Sequence, residues 1–169
     1  NVPTYRERDR FFRPGGAANV ARQLKYAHCD VYLVSLWDMW SFQAFKENGC
    51  GTLNGGALHN NRYHSPLKTR YWDGGRVIAR FDREISQPNG MKEYRDETIA
   101  YAIRVLREWM PDVIVLSDYD KGLLDRSTVK ELIEVAFMAK IPVIADPKEL
   151  TPNDLRGMEV LKCNQAYHS

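Results

Sequence analysis

The sequence has 169 residues, 44% hydrophobic and 27% charged, the proportions of one soluble globular domain long enough to bury a core without covalent staples. Its three cysteines share no CxxC spacing, its apolar runs are short, and no signal-peptide order opens it, so the reading is cytoplasmic and reduced. The net charge of +2 is too small to indicate a nucleic-acid or membrane partner, yet residues 1–83 carry 13 Lys/Arg against 7 Asp/Glu while residues 84–169 carry 11 against 15. A basic half of this kind suits an anionic small molecule or a plain solvated surface.

After Arg6, Arg8, Arg10 and Arg13, the run Pro14-Gly15-Gly16 breaks the chain. A helix is expected from about Ala17, with Val20, Leu24 and Ala27 on one face. Residues 31–36 read as a buried strand, and the aromatic-rich stretch 37–45 as a helix whose rings pack. Residues 48–61 read as a Gly/Asn-rich loop. His59 and His64 have no carboxylate or cysteine at metal spacing, so no metal site is expected there.

Two β-rich runs, 67–72 and 76–82, flank Asp73-Gly74-Gly75, a strong hairpin signal. Alternation puts Lys68, Arg70 and Trp72 on one face of the first strand, and Arg76, Ile78 and Arg80 on one face of the second. A partly cationic hairpin reads as a lid rather than a core ribbon. From Asp96 the pattern becomes regular α/β. Ile99, Ile103, Leu106 and Met110 mark a helix that ends before Pro111. A strand follows at 113–117, then a helix with a Thr128-to-Glu131 capping box and a stripe of Val129, Leu132, Ile133 and Ala136. Further strands are expected at 142–145 and 159–163, and crossovers of this length imply parallel pairing.

Ligands of open parallel sheets bind at the carboxyl ends of the strands. Three successive strands here end in Asp118 with Lys121, in Asp146 with Lys148, and in Asn164. Taken singly, each Asp reads first as a cap for the next turn, and three polar strand ends in register make a site an equal reading. At 15–19, Gly15-Gly16-Ala17-Ala18-Asn19 opens a helix, where free N–H groups attract hydroxyl or anionic oxygens. It is neither Gly-x-Gly-x-x-Gly nor a P-loop, and no Ser-His-Asp or Cys-His arrangement stands out.

Arg13-Pro14-Gly15-Gly16-Ala17-Ala18-Asn19-Val20-Ala21 resembles the first signature of the PfkB/ribokinase carbohydrate kinases. Further matches follow in order: Lys68-Thr69-Arg70, then Arg80-Phe81-Asp82-Arg83-Glu84, Val115-Leu116-Ser117-Asp118-Tyr119 with Lys121-Gly122, Asp146-Pro147-Lys148, Arg156-Gly157 and Asn164. The pattern is most similar to kinase domains acting on D-glycero-D-manno-heptose 7-phosphate in lipopolysaccharide precursor synthesis. The resemblance implies a three-layer α/β/α, ribokinase-like parallel sheet with a small β-lid, here incomplete. It implies that Gly15, Gly16 and Asn19 touch the sugar, that Lys68, Arg70 and Arg80 belong to the lid side, and that Asp118 and Lys121 form the cleft floor. Asp146, Lys148 and Asn164 would face the phosphates of ATP and Mg²⁺. Phosphoryl transfer is mainly positioning and charge neutralisation, which basic residues and Mg²⁺ supply.

The sequence departs from that family in several places. Tyr167 stands where an Asn-x-x-Glu motif starting at Asn164 has its Glu, Ser35 and Trp37 stand near expected glycines, and Gly74-Gly75 replaces a Gln pair. The family's first strand, with its sugar-binding Asp, would precede Asn1, and the Gly-Ala-Gly-Asp segment with the catalytic base would lie beyond Ser169. No catalytic or metal-ligating residue is therefore assigned. The expectation is a partial kinase domain over 1–169 with its lid at 67–82, inactive alone. It would bind a sugar phosphate, with a homodimer through the lid and no nucleic-acid or membrane partner. The alternative is a non-catalytic sugar-phosphate-binding or subunit-pairing remnant.

Overall fold

The structure, a computed structural model, describes residues 4–47, 54–59, 63–84, 92–148, 150, 151 and 153–162. Eleven elements follow one another: α1 (Gly16–Tyr26), β1 (Tyr32–Trp37), α2 (Met39–Phe45), β2 (Asn54–His59), β3 (Leu67–Asp73), β4 (Arg76–Arg83), α3 (Lys92–Trp109), β5 (Ile114–Ser117), α4 (Arg126–Ala139), β6 (Val143–Asp146) and β7 (Val160–Leu161). β1 and β2 form one parallel pair, and β5, β6 and β7 form a parallel sheet in that order. β3 and β4 are an antiparallel hairpin apart from both.

The largest core lies where α3 and α4 cover the β5–β6 sheet. Val129 and Ala136 are wholly buried there, with Leu132, Ile133, Leu116, Val143, Ala145 and Leu155 around them. The stripe expected from periodicity is thus the buried stripe of α4. Its cap differs from expectation. Asp125 is the N-cap, accepting from Thr128 N at 2.9 Å while Thr128 Oγ1 accepts from Asp125 N at 2.9 Å. Thr128 is therefore the N3 partner of the box and not its first residue, because the helix begins at Arg126. Arg95 of α3 reaches Asp125 at 2.7 Å and fastens the two helices where that cap forms.

A smaller core joins α1, β1 and α2 through Ala18, Ala21, Leu33 and Phe45. The buried face of α1 is Ala18 and Ala21; the expected Ala27 is its exposed C-cap, past the last helical turn. The small side chains on that face let α1 approach β1 closely. Residues 54–59, read as loop from their Gly and Asn, form β2, because Asn54 to His59 pair in parallel with all of β1. The hairpin falls where expected, but the register slips between Tyr71 and Trp72, so Trp72 pairs with Val77 and not with Ile78. The shared face of Lys68 and Arg70 therefore does not extend regularly to Trp72.

β1 and β5 both line one cleft of about 970 Å³, with α3 along its side, and belong to separate sheets. Truncating Leu132 to Ala should cost about 2–5 kcal/mol in urea unfolding, and Asp125→Ala about 0.5–2 kcal/mol. A loss below about 1 kcal/mol for Leu132→Ala would contradict the placement of the main core.

Candidate functional site

The parallel register sets Ser117 opposite Asp146, so the chain leaves β5 and β6 side by side at their carboxyl ends. Asp118 ties these exits together. Its backbone N donates to Asp146 O at 3.1 Å, its Oδ2 accepts from Lys148 N at 3.1 Å, and its Oδ1 accepts from Asp120 N at 2.8 Å. The carboxylate thereby fixes the loop that carries Tyr119 and Lys121. Asp120 holds φ at +50°, a left-handed turn that the Asp118 side chain supports locally.

That loop meets the start of α1. Gly16 has φ of +52°, and the Tyr119 ring would lie 3.5 Å from a Cβ placed there. That separation is ordinary contact, so the backbone angle, more than lack of room, is what favours glycine. Across the cleft stand Lys68 and Arg70 of the hairpin. The sequence-identified Gly15, Gly16, Lys68, Arg70, Asp118, Lys121 and Lys148 all line this one cleft. Its wall carries five basic side chains, with Arg13 the fifth, against the carboxylates of Glu84 and Asp118. Such a balance attracts an anion. The Ser117 hydroxyl is also on the wall, buried and without a hydrogen-bond partner among the described residues.

The other sequence-identified residues lie elsewhere or are occupied. Asn19 is on α1 but off the cleft wall, its Oδ1 accepting from Arg22 at 3.1 Å. Arg80 is paired within its own strand to Asp82, at 2.8 Å through Nε. Asp146 accepts from Lys162 Nζ at 2.6 Å, and this contact holds the Lys162 ammonium above its usual pKa range. Asn164 lies outside the described residues.

Two residues were not assigned to the site from sequence. Glu84 directly follows β4 and sits between the lysines, Oε2 at 3.1 Å from Lys121 and Oε1 at 3.9 Å from Lys68. The hydrogen bond and charge of Lys121 hold its carboxyl below the usual range. The second is Asp38, the N-cap of α2, which pins both feet of the hairpin. Its Oδ1 accepts from Ser41 N at 2.6 Å and its Oδ2 from Ser65 N at 2.9 Å, while Arg83 at the end of β4 lies 3.7 Å from Oδ2. Arg83 also donates to Ser65 O at 3.3 Å. Burial alone pushes the Asp38 carboxyl up, but the N–H groups of Ser41 and Ser65 and the Arg83 charge outweigh it, and the net shift is downward.

The described residues form an α/β fold with parallel strands, a cleft lined by basic side chains at the ends of β5 and β6, and a hairpin beside it. A carbohydrate kinase from Agrobacterium tumefaciens superposes over 91% of this chain and 50% of its own length, with a TM-score of 0.58 and 17% identity, a likeness of fold. In sequence, the chain is 32% identical over 162 residues to the bifunctional protein HldE of Campylobacter jejuni subsp. doylei, covering 89% of this chain and 33% of that protein. HldE of Geobacter metallireducens is 32% identical over 158 residues, covering 90% of this chain and 31% of the relative. The chain thus spans about a third of the length of the curated relatives it matches. No family model matches it. Among the described residues no helix is long and apolar enough to cross a membrane.

The depressed carboxyl of Asp38 gives the site a pH signature. Its stabilisation is complete above the unfolded Asp pKa of about 3.9 and is lost as pH falls through the lower folded value. Urea midpoints should therefore fall below about pH 4, and Asp38→Asn should make that fall shallower. An identical acid profile in the variant would show that Asp38 does not anchor the hairpin.

Proposed function

We propose that this chain is part of a carbohydrate kinase that transfers phosphate from ATP to the anomeric hydroxyl of a heptose 7-phosphate or a similar sugar phosphate, in lipopolysaccharide precursor synthesis in the cytoplasm. The observation that carries this reading is the cationic cleft at the ends of β5 and β6, faced by Lys68 and Arg70 of the hairpin. A sugar that already bears a phosphate needs fixed positive charge to offset it, and the Lys and Arg side chains lining the cleft supply that. Gly15 and Gly16 offer free N–H groups at the start of α1, suited to sugar hydroxyls or phosphate oxygens. The sequence similarity to HldE proteins and the kinase fold support the same reading.

ATP would bind toward the ends of β6 and β7, with Lys148 and Asp146 nearest its phosphates. Magnesium takes one or two carboxylates plus phosphate oxygens, and Asp146, whose carboxylate is held here by Lys162, is the residue that would face it. Bound there, the ion would neutralise charge on the phosphates. Asp118 would keep the floor loop in place, and Lys121 and Lys68 would hold the sugar phosphate. The resemblance assigns no catalytic base within residues 1–169, and the reading is that these residues alone do not turn over.

A second reading is favoured by the hairpin surface. Tyr71, Trp72, Val77 and Phe81 are exposed, Trp72 and Phe81 at 63% each, and an apolar ribbon of this kind suits pairing with the hairpin of a second copy. The chain would then act as a sugar-phosphate-binding, subunit-pairing unit.

Calorimetry with heptose 7-phosphate should show binding by residues 1–169 with no ATP-dependent ADP release. Lys68→Met should weaken that binding roughly tenfold, the scale of a charge-assisted contact. Equal affinity for the unphosphorylated sugar, or robust turnover by the isolated chain, would contradict the assignment. Sedimentation should show self-association that Trp72→Ser weakens, and a monomer at high concentration would contradict lid pairing.

A further inference from the structure

We infer that Glu84 is an internal occupant of the anion site, a carboxylate that bridges Lys68 and Lys121 and is displaced when a phosphate group enters between them. The inference rests on the sugar-phosphate reading above and adds a residue whose effect on binding has the opposite sign to that of its neighbours.

Three facts place Glu84 there. Its two oxygens address different ammonium groups, Oε2 that of Lys121 at 3.1 Å and Oε1 that of Lys68 at 3.9 Å. Those lysines come from unlike parts of the fold, the second residue of β3 and the loop after β5, and all three side chains line the same cleft. The other carboxylate on that wall, Asp118, is engaged by backbone N–H groups of Asp120 and Lys148, a structural role that an incoming anion would not disturb. Glu84, by contrast, meets the ammonium groups of Lys121 and Lys68.

The bridge joins the hairpin to the sheet through exposed ion pairs. Glu84 is half exposed and Lys68 nearly so, so each contact is of the weak, solvent-screened kind. A phosphate monoester carries close to two negative charges and three acceptor oxygens against one charge and two oxygens for Glu84. It therefore wins the exchange while giving both lysines a partner again. In the empty protein Glu84 keeps the lysines from repelling each other and holds the hairpin near the floor. In the bound protein the phosphate does both. Removing the carboxylate should therefore tighten anion binding, whereas a merely structural Glu84 should weaken it when lost.

The test is calorimetric titration of the 169-residue chain with inorganic phosphate at low ionic strength, comparing wild type, Glu84→Gln, Lys121→Met and the double variant. Glu84→Gln should bind phosphate roughly three- to tenfold more tightly than wild type. The gain should shrink below about twofold in the Lys121→Met background, because the bridge is already broken there. A gain of equal size in both backgrounds would reduce Glu84 to a general field effect and overturn the displacement. Unchanged or weaker binding by Glu84→Gln, with phosphate still bound and still dependent on Lys121, would overturn the role of Glu84 and leave the sugar-phosphate reading standing. Phosphate binding by neither wild type nor Glu84→Gln would overturn both.

Discussion

The parallel register of β5 against β6 sets Ser117 beside Asp146, and the residues that follow emerge at one edge of the sheet. Asp118 turns that adjacency into a fixed loop by accepting from the backbone of Asp120 and of Lys148. Tyr119 then lies over Gly16, and Lys121 points back toward Glu84. If this pairing slipped by one residue, the side chains on the strand faces would exchange sides, and the buried Leu116, Val143 and Ala145 could no longer meet α4. The core beneath and the charge above depend on the same register.

The hairpin is held differently. Among the described residues it shares no strand pairing with either parallel sheet, and its two feet converge on Asp38 through Ser65 and Arg83. Asp38 is simultaneously the cap of α2, which packs through Phe45 against α1 and β1. The hairpin is thus hinged on one unit and reaches across to the other through the Lys68–Glu84–Lys121 bridge. A buried carboxylate anchors one end and an exposed, exchangeable one meets the other. That division of labour suits a flap that must stay attached while its inner face accepts a charged ligand.

Much of this was legible in the sequence wherever a local pattern decides the outcome. The apolar stripe of α4, the hairpin turn at Gly74-Gly75, and the polar ends of β5 and β6 all follow from spacing that needs no partner. The motif order also marked Gly15, Gly16, Lys68, Arg70, Asp118, Lys121 and Lys148, which the fold gathers on one wall. What escaped depends on distant partners. β2 is a strand because β1 pairs with it, since Asn54-Gly55-Gly56 carries no β signal of its own. The α4 cap was shifted because Thr128-x-x-Glu131 fits a capping box as well as Asp125-x-x-Thr128 does, and only the true helix start decides between them. Glu84 closes the Arg80-to-Glu84 motif, but its contact with Lys121 depends on where the β5 loop falls, which no local pattern states.

The proposed site for an anionic sugar is the strand-end cleft between α1 and the hairpin. Backbone amide shift mapping with a sugar phosphate tests it most directly. Saturable shifts are expected at Gly15, Gly16, Lys68, Glu84, Tyr119 and Lys121, with Leu132 and Ala136 in the core unmoved. Saturable shifts confined to residues outside that wall, or none at millimolar ligand, would contradict it.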